Sequence, residues 1–434
     1  MPIREATGTA PVERTSTSPK YTKRTRIALF GIFGIQNIGN ECTLQAMMHN
    51  VRQRLPDAEL YSICYEPQDT LRRHDLVAVP ISSRHSNKGP SGQLARHTNK
   101  LTRFLRILFR RAPCELSEWF RAFKVLKGTD LVLMTGTGML TDYSNSSFGY
   151  PYDVFKWTIA ARLTGCKVRF VGIGVGPIYE RLSRRFIKSA LTLADYRSYR
   201  DHPSKARLER LGFDTGKDPI FPDLAFSLPR CIFPDSSNHE RRRRVVGLGV
   251  MNHFDPHAAG EHDPQAAYHT YLDKMCDLTA SLIEHGYGVR ILQGDVRHDG
   301  TVRRDLRARL EKRGHRYETA GIVDEDSTSV GELLAQLALT DVVVSPRFHN
   351  LILALMLNKP VISISYDPKH EALLEGFDLG RYCQPINGLN VDVLIKHVIE
   401  VEASREERKP LLRQRTEEYR KLLDEQYRLV LGGL

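Results

Sequence analysis

The chain has 434 residues, of which 41% are hydrophobic and 26% are charged, and its formal net charge is +12. This length favours two domains, and the balanced composition excludes a globally disordered chain. The positive charge favours an anionic partner: a phosphorylated metabolite, a diphosphate lipid, a membrane surface or nucleic acid. The seven cysteines form no Cys-x-x-Cys pair. A disulfide framework and a cysteine-rich zinc site are therefore not expected, and a reducing compartment fits best.

Residues 1–24 are rich in Thr, Ser, Pro, Lys and Arg, which predicts a disordered tail. They contain no apolar core of signal-peptide length. No apolar run in the chain approaches the roughly 20 residues that a transmembrane helix needs. We therefore expect a cytoplasmic protein.

After this tail, strands and helices alternate. The apolar run at 26–33 predicts a strand buried on both faces of a parallel sheet, and a glycine loop at 34–39 and a helix at 41–55 follow it. Further strands are predicted at 59–65, 130–140, 166–177 and 195–201. Further helices are predicted at 151–164, 182–194 and 203–211. Two prolines and an arginine run predict a linker at 228–244.

The second half repeats this alternation. Its predicted strands are 244–254, 287–294, 341–348 and 360–366, and its predicted helices are 266–285, 299–313, 329–339 and 349–357. The pattern predicts an α/β protein with two Rossmann-like domains, at 25–227 and 245–395, whose parallel sheets face each other across a cleft. A helical segment at 396–434 ends the chain. Ligands bind beyond the carboxyl ends of parallel strands, so the loops there should line the cleft.

Four candidate side chains follow predicted strands. Arg347 and His349 lie in SPRFHN (345–350), at a strand-to-helix turn where helix amides and a guanidinium favour a phosphate or carboxylate. The alternative is a surface arginine and a core histidine. Lys369 follows the next strand and is either a second positive charge or a solvated lysine. Arg200 either reaches the cleft or pairs with Asp201 before a helix.

Two glycine loops carry weaker signals. GIFGIQNIGNE (31–41) lacks the Gly-x-Gly-x-x-Gly dinucleotide motif, but its Asn37 and Glu41 are candidate ligand contacts. In TGTGMLTDY (135–143), Gly138 lets a ligand approach the backbone and Asp142 is a candidate base. The alternative in both loops is turn and helix-start chemistry without a ligand.

Residues 94–112 have leucines and a phenylalanine at helical spacing, with arginines and lysines between them. Such a basic amphipathic helix suits peripheral contact with the inner face of the cell membrane, and the alternative is a domain helix with a solvated basic face. No His, Cys, Asp or Glu set has metal-ligand spacing, and no nucleic-acid module is present. We therefore expect neither a metal nor a nucleic-acid partner.

The ordered set of motifs resembles the polysaccharide pyruvyltransferase family. The matching segments are GIFGIQNIGNECTL, VLMTGTGMLTD, GIGVGP, YRSYRD, FPDLAFSLP and VVSPRFHNLILALMLNKPVISISYDPK, within residues 27–380. The resemblance implies a fold like that of two-domain (GT-B-like) glycosyltransferases. It also implies phosphoenolpyruvate as donor substrate, no cofactor, and a sugar acceptor that becomes a pyruvate ketal. A polyprenyl-diphosphate-linked sugar is one form of such an acceptor.

The resemblance also implies roles for single residues. Arg200 and Lys369 correspond to donor-binding residues, and Arg347 and His349 to an Arg-x-His motif in which we expect His349 to donate a proton. The N-terminal domain is then the acceptor side and the C-terminal domain the donor side. The chain departs from the family at Thr137, which interrupts a triple glycine, and at Asn40, which displaces an acidic residue, so the acceptor stays open.

Two other functions remain open at this point. One is a glycosyltransferase that uses a nucleotide-sugar, for which Glu371 or Glu375 would hold the ribose. The other is a non-catalytic binder of an anionic glycan or lipid.

Overall fold

The computed structural model describes residues 24–83, 100–143, 146–234, 243–252 and 264–433, and of 100–112 and 264 it describes the backbone alone. The predicted tail at 1–24 lies outside the described residues except for Arg24, and so does much of the predicted linker at 228–244. Of the predicted amphipathic helix at 94–112, the backbone is described from Lys100 onward.

The first half contains one six-stranded parallel sheet. Its strands are β1 (Arg26–Phe30), β2 (Glu59–Cys64), β3 (Ala78–Pro80), β4 (Leu131–Thr135), β5 (Lys167–Ile173) and β6 (Tyr196–Tyr199), in the spatial order β3-β2-β1-β4-β5-β6. One helix follows each strand: α1 (Ile38–Arg54), α2 (Pro67–His74), α3 (Lys100–Leu126), α4 (Tyr150–Leu163), α5 (Arg181–Thr192) and α6 (His202–Arg210).

The second half repeats the same topology, with the strand order β12-β11-β10-β7-β8-β9. Its strands are β7 (Val245–Gly249), β8 (Gly288–Leu292), β9 (Ile322–Val323), β10 (Val342–Ser345), β11 (Val361–Ser365) and β12 (Cys383–Pro385). Its helices are α7 (Pro264–Glu284), α8 (Val296–Lys312), α9 (Tyr317–Ala320), α10 (Val330–Ala338), α11 (Phe348–Met356), α12 (Lys369–Glu375), α13 (Val391–Ala403) and α14 (Arg405–Leu431). The predicted class, two Rossmann-like domains, is confirmed.

The central strands are buried because helices cover both faces of each sheet, which is why their sequences are continuous apolar runs. Helix starts are fixed by local side chains: Asp201 accepts a hydrogen bond from the amide of Ser204 (2.7 Å) at the start of α6. The strand predicted at 341–348 ends at Ser345, and Arg347 is the residue preceding the first turn of α11. The short edge strands β3, β9 and β12 were not predicted.

Helix α14 returns from the second half to the first. The hydroxyls of Tyr427 and Ser227 are 3.0 Å apart, and the amide of Gln426 donates to the hydroxyl of Ser198 at 2.7 Å. The ring of Tyr419 lies 5.2 Å from that of Phe377 in the second half. The helix therefore contacts both halves. Within the described helices, none combines the length and apolar character needed to span a bilayer.

Candidate active site

A cavity of about 320 Å³ lies where the carboxyl ends of the two sheets meet. The first half contributes loops that follow β4, β5 and β6, and the second half contributes loops that follow β7 and β11. Its lining residues are Gly138, Thr141, Tyr143, Gly174, Val175, Gly176, Pro177, Arg200, Asp201, Ser204, Met251, Asn252, Tyr366, Asp367 and Lys369. Two cations that the sequence singled out, Arg200 and Lys369, thus share one cavity from opposite halves.

Arg200 is held in the cavity wall by two carboxylates. Its Nη1 donates to Oδ2 of Asp223 at 3.1 Å and its Nε to Oδ2 of Asp201 at 3.3 Å. Burial alone lowers the pKa of Arg200, but these carboxylates outweigh burial and raise it, so the guanidinium stays charged. A Cβ at Gly174 would lie 2.5 Å from its Cζ. Only a glycine lets the guanidinium pack this closely on the loop after β5.

Lys369 approaches from the first turn of α12. Its Nζ lies 4.7 Å from the ring centre of Tyr366 and 5.5 Å from that of Phe348, and it donates to the hydroxyl of Tyr366 at 3.2 Å. The guanidinium of Arg200 lies over the same Phe348 ring at 5.2 Å. Phe348 therefore supports both cations through their attraction to its electron-rich face.

His349 lies behind Arg200 rather than on the cavity wall. Its Nε2 is 3.7 Å from Oδ1 of Asp223, which is too long for a hydrogen bond, and it has no hydrogen-bond partner among the described residues. The ring packs so closely on α1 that a Cβ at Gly39 would lie 2.1 Å from its Nδ1. Asp223 therefore lies between His349 of the second half and Arg200 of the first half.

Asp223 should make the fold sensitive to acid. Burial alone would raise the pKa of Asp223, but His349 and Arg200 outweigh burial and hold it well below its usual range. A carboxyl whose pKa falls on folding stabilises the fold above its unfolded-state pKa of about 3.9, and that contribution is lost at lower pH. We expect Asp223→Asn to lower Tm at pH 7 and to flatten the decrease of Tm below about pH 4. An unchanged slope would contradict this.

Arg347, predicted to bind an anion, has a carboxylate partner within the protein. Its Nε donates to Oδ2 of the fully buried Asp299 at 3.1 Å, and its Nη2 donates to Oδ1 of the same carboxylate. Oδ2 of Asp299 also accepts the amides of Gly294 and Asp295, both at 2.9 Å. Arg347 does not line the cavity. Its guanidinium instead joins the loop after β10 to the first turn of α8.

Removal of this buried partner should destabilise the protein. In Asp299→Asn the guanidinium of Arg347 keeps its charge but loses its counter-charge, so we expect the free energy of unfolding to fall by about 3 kcal/mol. The matched control is Asp273→Asn, because Asp273 pairs with Arg309 at a half-exposed site and such pairs contribute less than about 1 kcal/mol. Urea denaturation measures both values. Equal effects in the two variants would rule out a special role for Asp299.

In the first glycine loop, the two candidate ligand contacts, Asn37 and Glu41, have polar partners within the protein. Asn37 caps α1 by accepting the amide of Asn40 at 3.3 Å, and its Nδ2 donates to Oδ2 of Asp295 in the second half at 3.2 Å. The buried Glu41 accepts the amide of Gly34 at 3.0 Å and lies 2.6 Å from Nε2 of His74. Neither residue lines the cavity.

In the loop after β4, the candidates Gly138 and Asp142 differ from each other in their surroundings. Gly138 lines the cavity, and a Cβ there would meet open space. Asp142 is buried, and its carboxylate accepts the amides of Tyr179 at 2.9 Å and Glu180 at 2.8 Å. Because two backbone amides hold this carboxylate just before α5, the structure favours the turn interpretation for Asp142.

Several site residues were missed by sequence reasoning. Asp223 belongs to the motif FPDLAFSLP, but no local sequence signal indicates that its carboxylate contacts a buried arginine. Arg207 of α6 in the first half pairs at 3.3 Å with Asp367 of the second half, which lines the cavity. The fully buried His370 lies beneath Tyr366, its Nδ1 2.8 Å from the hydroxyl of Ser363. Burial, followed by the charge of Lys369, lowers the pKa of His370 well below its usual range, so its ring is neutral.

Comparisons with known proteins agree with this fold. Several solved structures share the fold at low sequence identity. A protein described as a UDP-N-acetylglucosamine 2-epimerase from Listeria monocytogenes has a TM-score of 0.57 at 12% identity, with 94% of this chain and 95% of that chain covered. The UDP complex of MnaA from S. aureus has a TM-score of 0.56 at 10% identity, with 94% and 98% covered. The N-terminal domain of a trehalose-6-phosphate phosphatase from Candida albicans has a TM-score of 0.57 at 9% identity, with 95% and 97% covered.

These structures establish a GT-B-like fold and nothing about the reaction. No curated protein sequence matches the chain. The family model for polysaccharide pyruvyl transferase matches residues 37–368, a range that includes most of both halves and every cavity-lining residue except Lys369. The chain belongs to the polysaccharide pyruvyl transferase family.

Proposed function

We propose that the protein transfers the enolpyruvyl group of phosphoenolpyruvate to two hydroxyls of a sugar, in a polysaccharide or its lipid-linked precursor. The product is a pyruvate ketal, and phosphate is released. The observation that carries the proposal is the shared cavity of Arg200 and Lys369. Its volume of about 320 Å³ suits a small ligand. Phosphoenolpyruvate carries a carboxylate and a phosphate, so cations on opposite walls match its two anionic ends.

The cations of the site lie among carboxylates that belong to the protein. Arg200, Arg207 and Lys369 are surrounded by Asp201 and Asp367, and Asp223 lies just behind them. Burial alone raises the pKa of Asp367, but Lys369 and Arg207 outweigh it and lower that pKa, so its carboxylate is ionised. An anionic donor competes with these carboxylates for the cations. Donor binding should therefore depend on the planar geometry of the Arg200 guanidinium more than on the net charge of the cavity.

In the proposed reaction, His349 donates a proton to the methylene carbon of the donor, and C2 becomes electrophilic. One sugar hydroxyl adds to C2 and loses its proton. The C2–O bond to phosphate then breaks, the bonding electrons leave with phosphate, and a second hydroxyl closes the ketal with loss of its own proton. The ring of His349 must turn toward the cavity, or the cleft must close on the donor, for the first step.

Arg347 has a supporting role in this proposal. Its guanidinium is anchored on Asp299, so it fixes the turn that presents Phe348 and His349. The first amides of α11 lie at this turn, where the helix dipole favours negative charge. The turn itself lies outside the cavity, where Arg200 and Lys369 are the two cations proposed to meet the donor.

The test is phosphate release from phosphoenolpyruvate by the purified full chain, with free, nucleotide-linked and polyprenyl-diphosphate-linked sugars as acceptors. Release that depends on one acceptor, with a ketal methyl signal in the product by NMR, is the expected result. No release with any acceptor, together with tight binding of a nucleotide-sugar, would instead favour a nucleotide-sugar-dependent glycosyltransferase. Binding of a glycan or lipid without turnover of either donor would favour a non-catalytic binder.

A further inference from the structure

The outer surface of the first half carries apolar side chains that the protein leaves exposed. On α3, Leu116 and Phe120 lie one helical turn apart and are 59% and 66% exposed. Phe148, just before α4, is 61% exposed. Single exposed apolar residues are common, but three large ones on neighbouring elements are a feature of contact surfaces.

Contacts connect these residues into one surface. The indole nitrogen of Trp119, beside Phe120 on α3, donates to the hydroxyl of Tyr152 at 3.1 Å. The ring of Tyr152 lies 5.6 Å from that of Phe148, which lies 6.0 Å from the ring of Phe186 on α5. The surface therefore runs from α3 past the start of α4 to α5.

Its α5 end is positively charged and not neutralised. Arg181 and Arg185 lie one turn apart and are exposed, and neither has an ion-pair partner among the described residues. The exposed arginines of α8 differ, because Arg307 pairs with Glu311 at 2.9 Å and Arg313 with Asp277 at 2.5 Å. The charge on α5 is thus available to an external anionic partner. We name Leu116, Phe120, Phe148, Arg181 and Arg185 the α3–α5 surface.

Helix α3 extends this surface beyond the sheet. Glu118 accepts the amide of Ser83 at 3.3 Å, just past the carboxyl end of β3, whereas the helix begins at Lys100. At 1.5 Å of rise per residue, about 27 Å of helix precedes Glu118. The sequence of residues 100–112 contains basic residues and no acidic ones. The helix begins on the side of the sheet where the cavity also lies, because the cavity loops follow β4, β5 and β6.

We propose that the α3–α5 surface docks on a bilayer that contains anionic phospholipid. Apolar side chains beside uncompensated guanidinium groups match the acyl boundary and the phosphate layer of such a membrane. Docking by this surface brings the carboxyl edge of the first sheet, and with it the cavity, close to the lipid headgroups. The inference does not depend on the proposed reaction, because membrane binding is measured without turnover.

The test is co-sedimentation of the full chain with vesicles of phosphatidylcholine alone or mixed with phosphatidylglycerol. Two double variants, Leu116→Ser with Phe120→Ser and Arg181→Glu with Arg185→Glu, should each weaken binding to the anionic vesicles by at least about tenfold. A basic residue near an anionic surface contributes roughly fivefold in affinity. The matched controls are Leu429→Ser, at a site 53% exposed on α14, and Arg304→Glu with Lys312→Glu on the exposed face of α8. These should bind as the unmodified protein does.

Binding should also weaken with added salt and be at least tenfold weaker for phosphatidylcholine alone. Equal loss in the control variants, or no loss in the α3–α5 variants, would overturn the proposal. Equal binding to both vesicle types would overturn its electrostatic part and with it the assignment of Arg181 and Arg185. Unchanged Tm values in all variants would show that differences in vesicle binding do not come from unfolding. Phosphate release is measured separately, so failure of the proposed reaction would not affect this test.

Discussion

Replacement of Arg200 by alanine is expected to lower kcat/KM for phosphoenolpyruvate by about 10³-fold. The change removes a cavity cation and leaves Asp223 and Asp201 without their shared partner. Truncation of one member of a buried charge pair costs about 2–5 kcal/mol, and each 1.4 kcal/mol is tenfold in rate. Steady-state kinetics of phosphate release measure this loss.

The conservative variant Arg200→Lys separates charge from geometry. Lysine keeps the positive charge that the carboxylates require, but it cannot donate to Asp223, Asp201 and a substrate anion from one planar fork. We expect a loss of about 10²-fold, mainly in KM. The control is Arg197→Lys on β6, just before the loop that carries Arg200, because Nε and Nη2 of Arg197 donate to Asp218 at 2.9 and 3.0 Å outside the cavity. If Arg200→Lys and Arg197→Lys had similar activity, Arg200 would not be a donor contact.

His349→Ala is expected to lower kcat by about 10²–10⁴-fold with little change in KM. A positioned general acid contributes about this much, and the ring does not line the cavity in which the donor binds. His298→Ala is the control, because His298 lies on the exposed face of α8 and contacts Asp295 at 3.0 Å. In D2O, the ketal methyl group formed by the unmodified protein should carry one deuterium. Activity of His349→Ala within a few-fold of normal would exclude the proton-donor role.

The central part of the fold could be predicted from sequence because buried parallel strands are apolar throughout. Val342–Ser345 and Val361–Ser365 are examples, and both are followed by polar turns. The edge strand at Ile322–Val323 has two residues, too short for any periodic pattern, and exists because β8 offers it backbone partners. Edge strands of this kind depend on the sheet that they join.

The site was predictable where topology alone decides it. Arg200 and Lys369 follow parallel strands, so the carboxyl-edge rule brought them to one cavity. The environment of Arg347 depends on Asp299, which lies 48 residues earlier and meets it only in the folded protein. From the sequence, Asp142 resembles a free carboxylate, because the first of the two amides that hold it belongs to Tyr179, 37 residues later. The local sequence around Arg347 and around Asp142 therefore does not indicate these partners.

The return of α14 to the first half has a consequence for biosynthesis. Gln426 and Tyr427 bond to Ser198 and Ser227, and Arg169 of β5 donates to the carbonyl of Val430. A ribosome makes α14 only after the second sheet has been made. Until then the first half lacks the partners of Ser198, Arg169 and Ser227, so its final packing waits for the synthesis of α14. A nonsense codon within α14 would thus damage the domain made first.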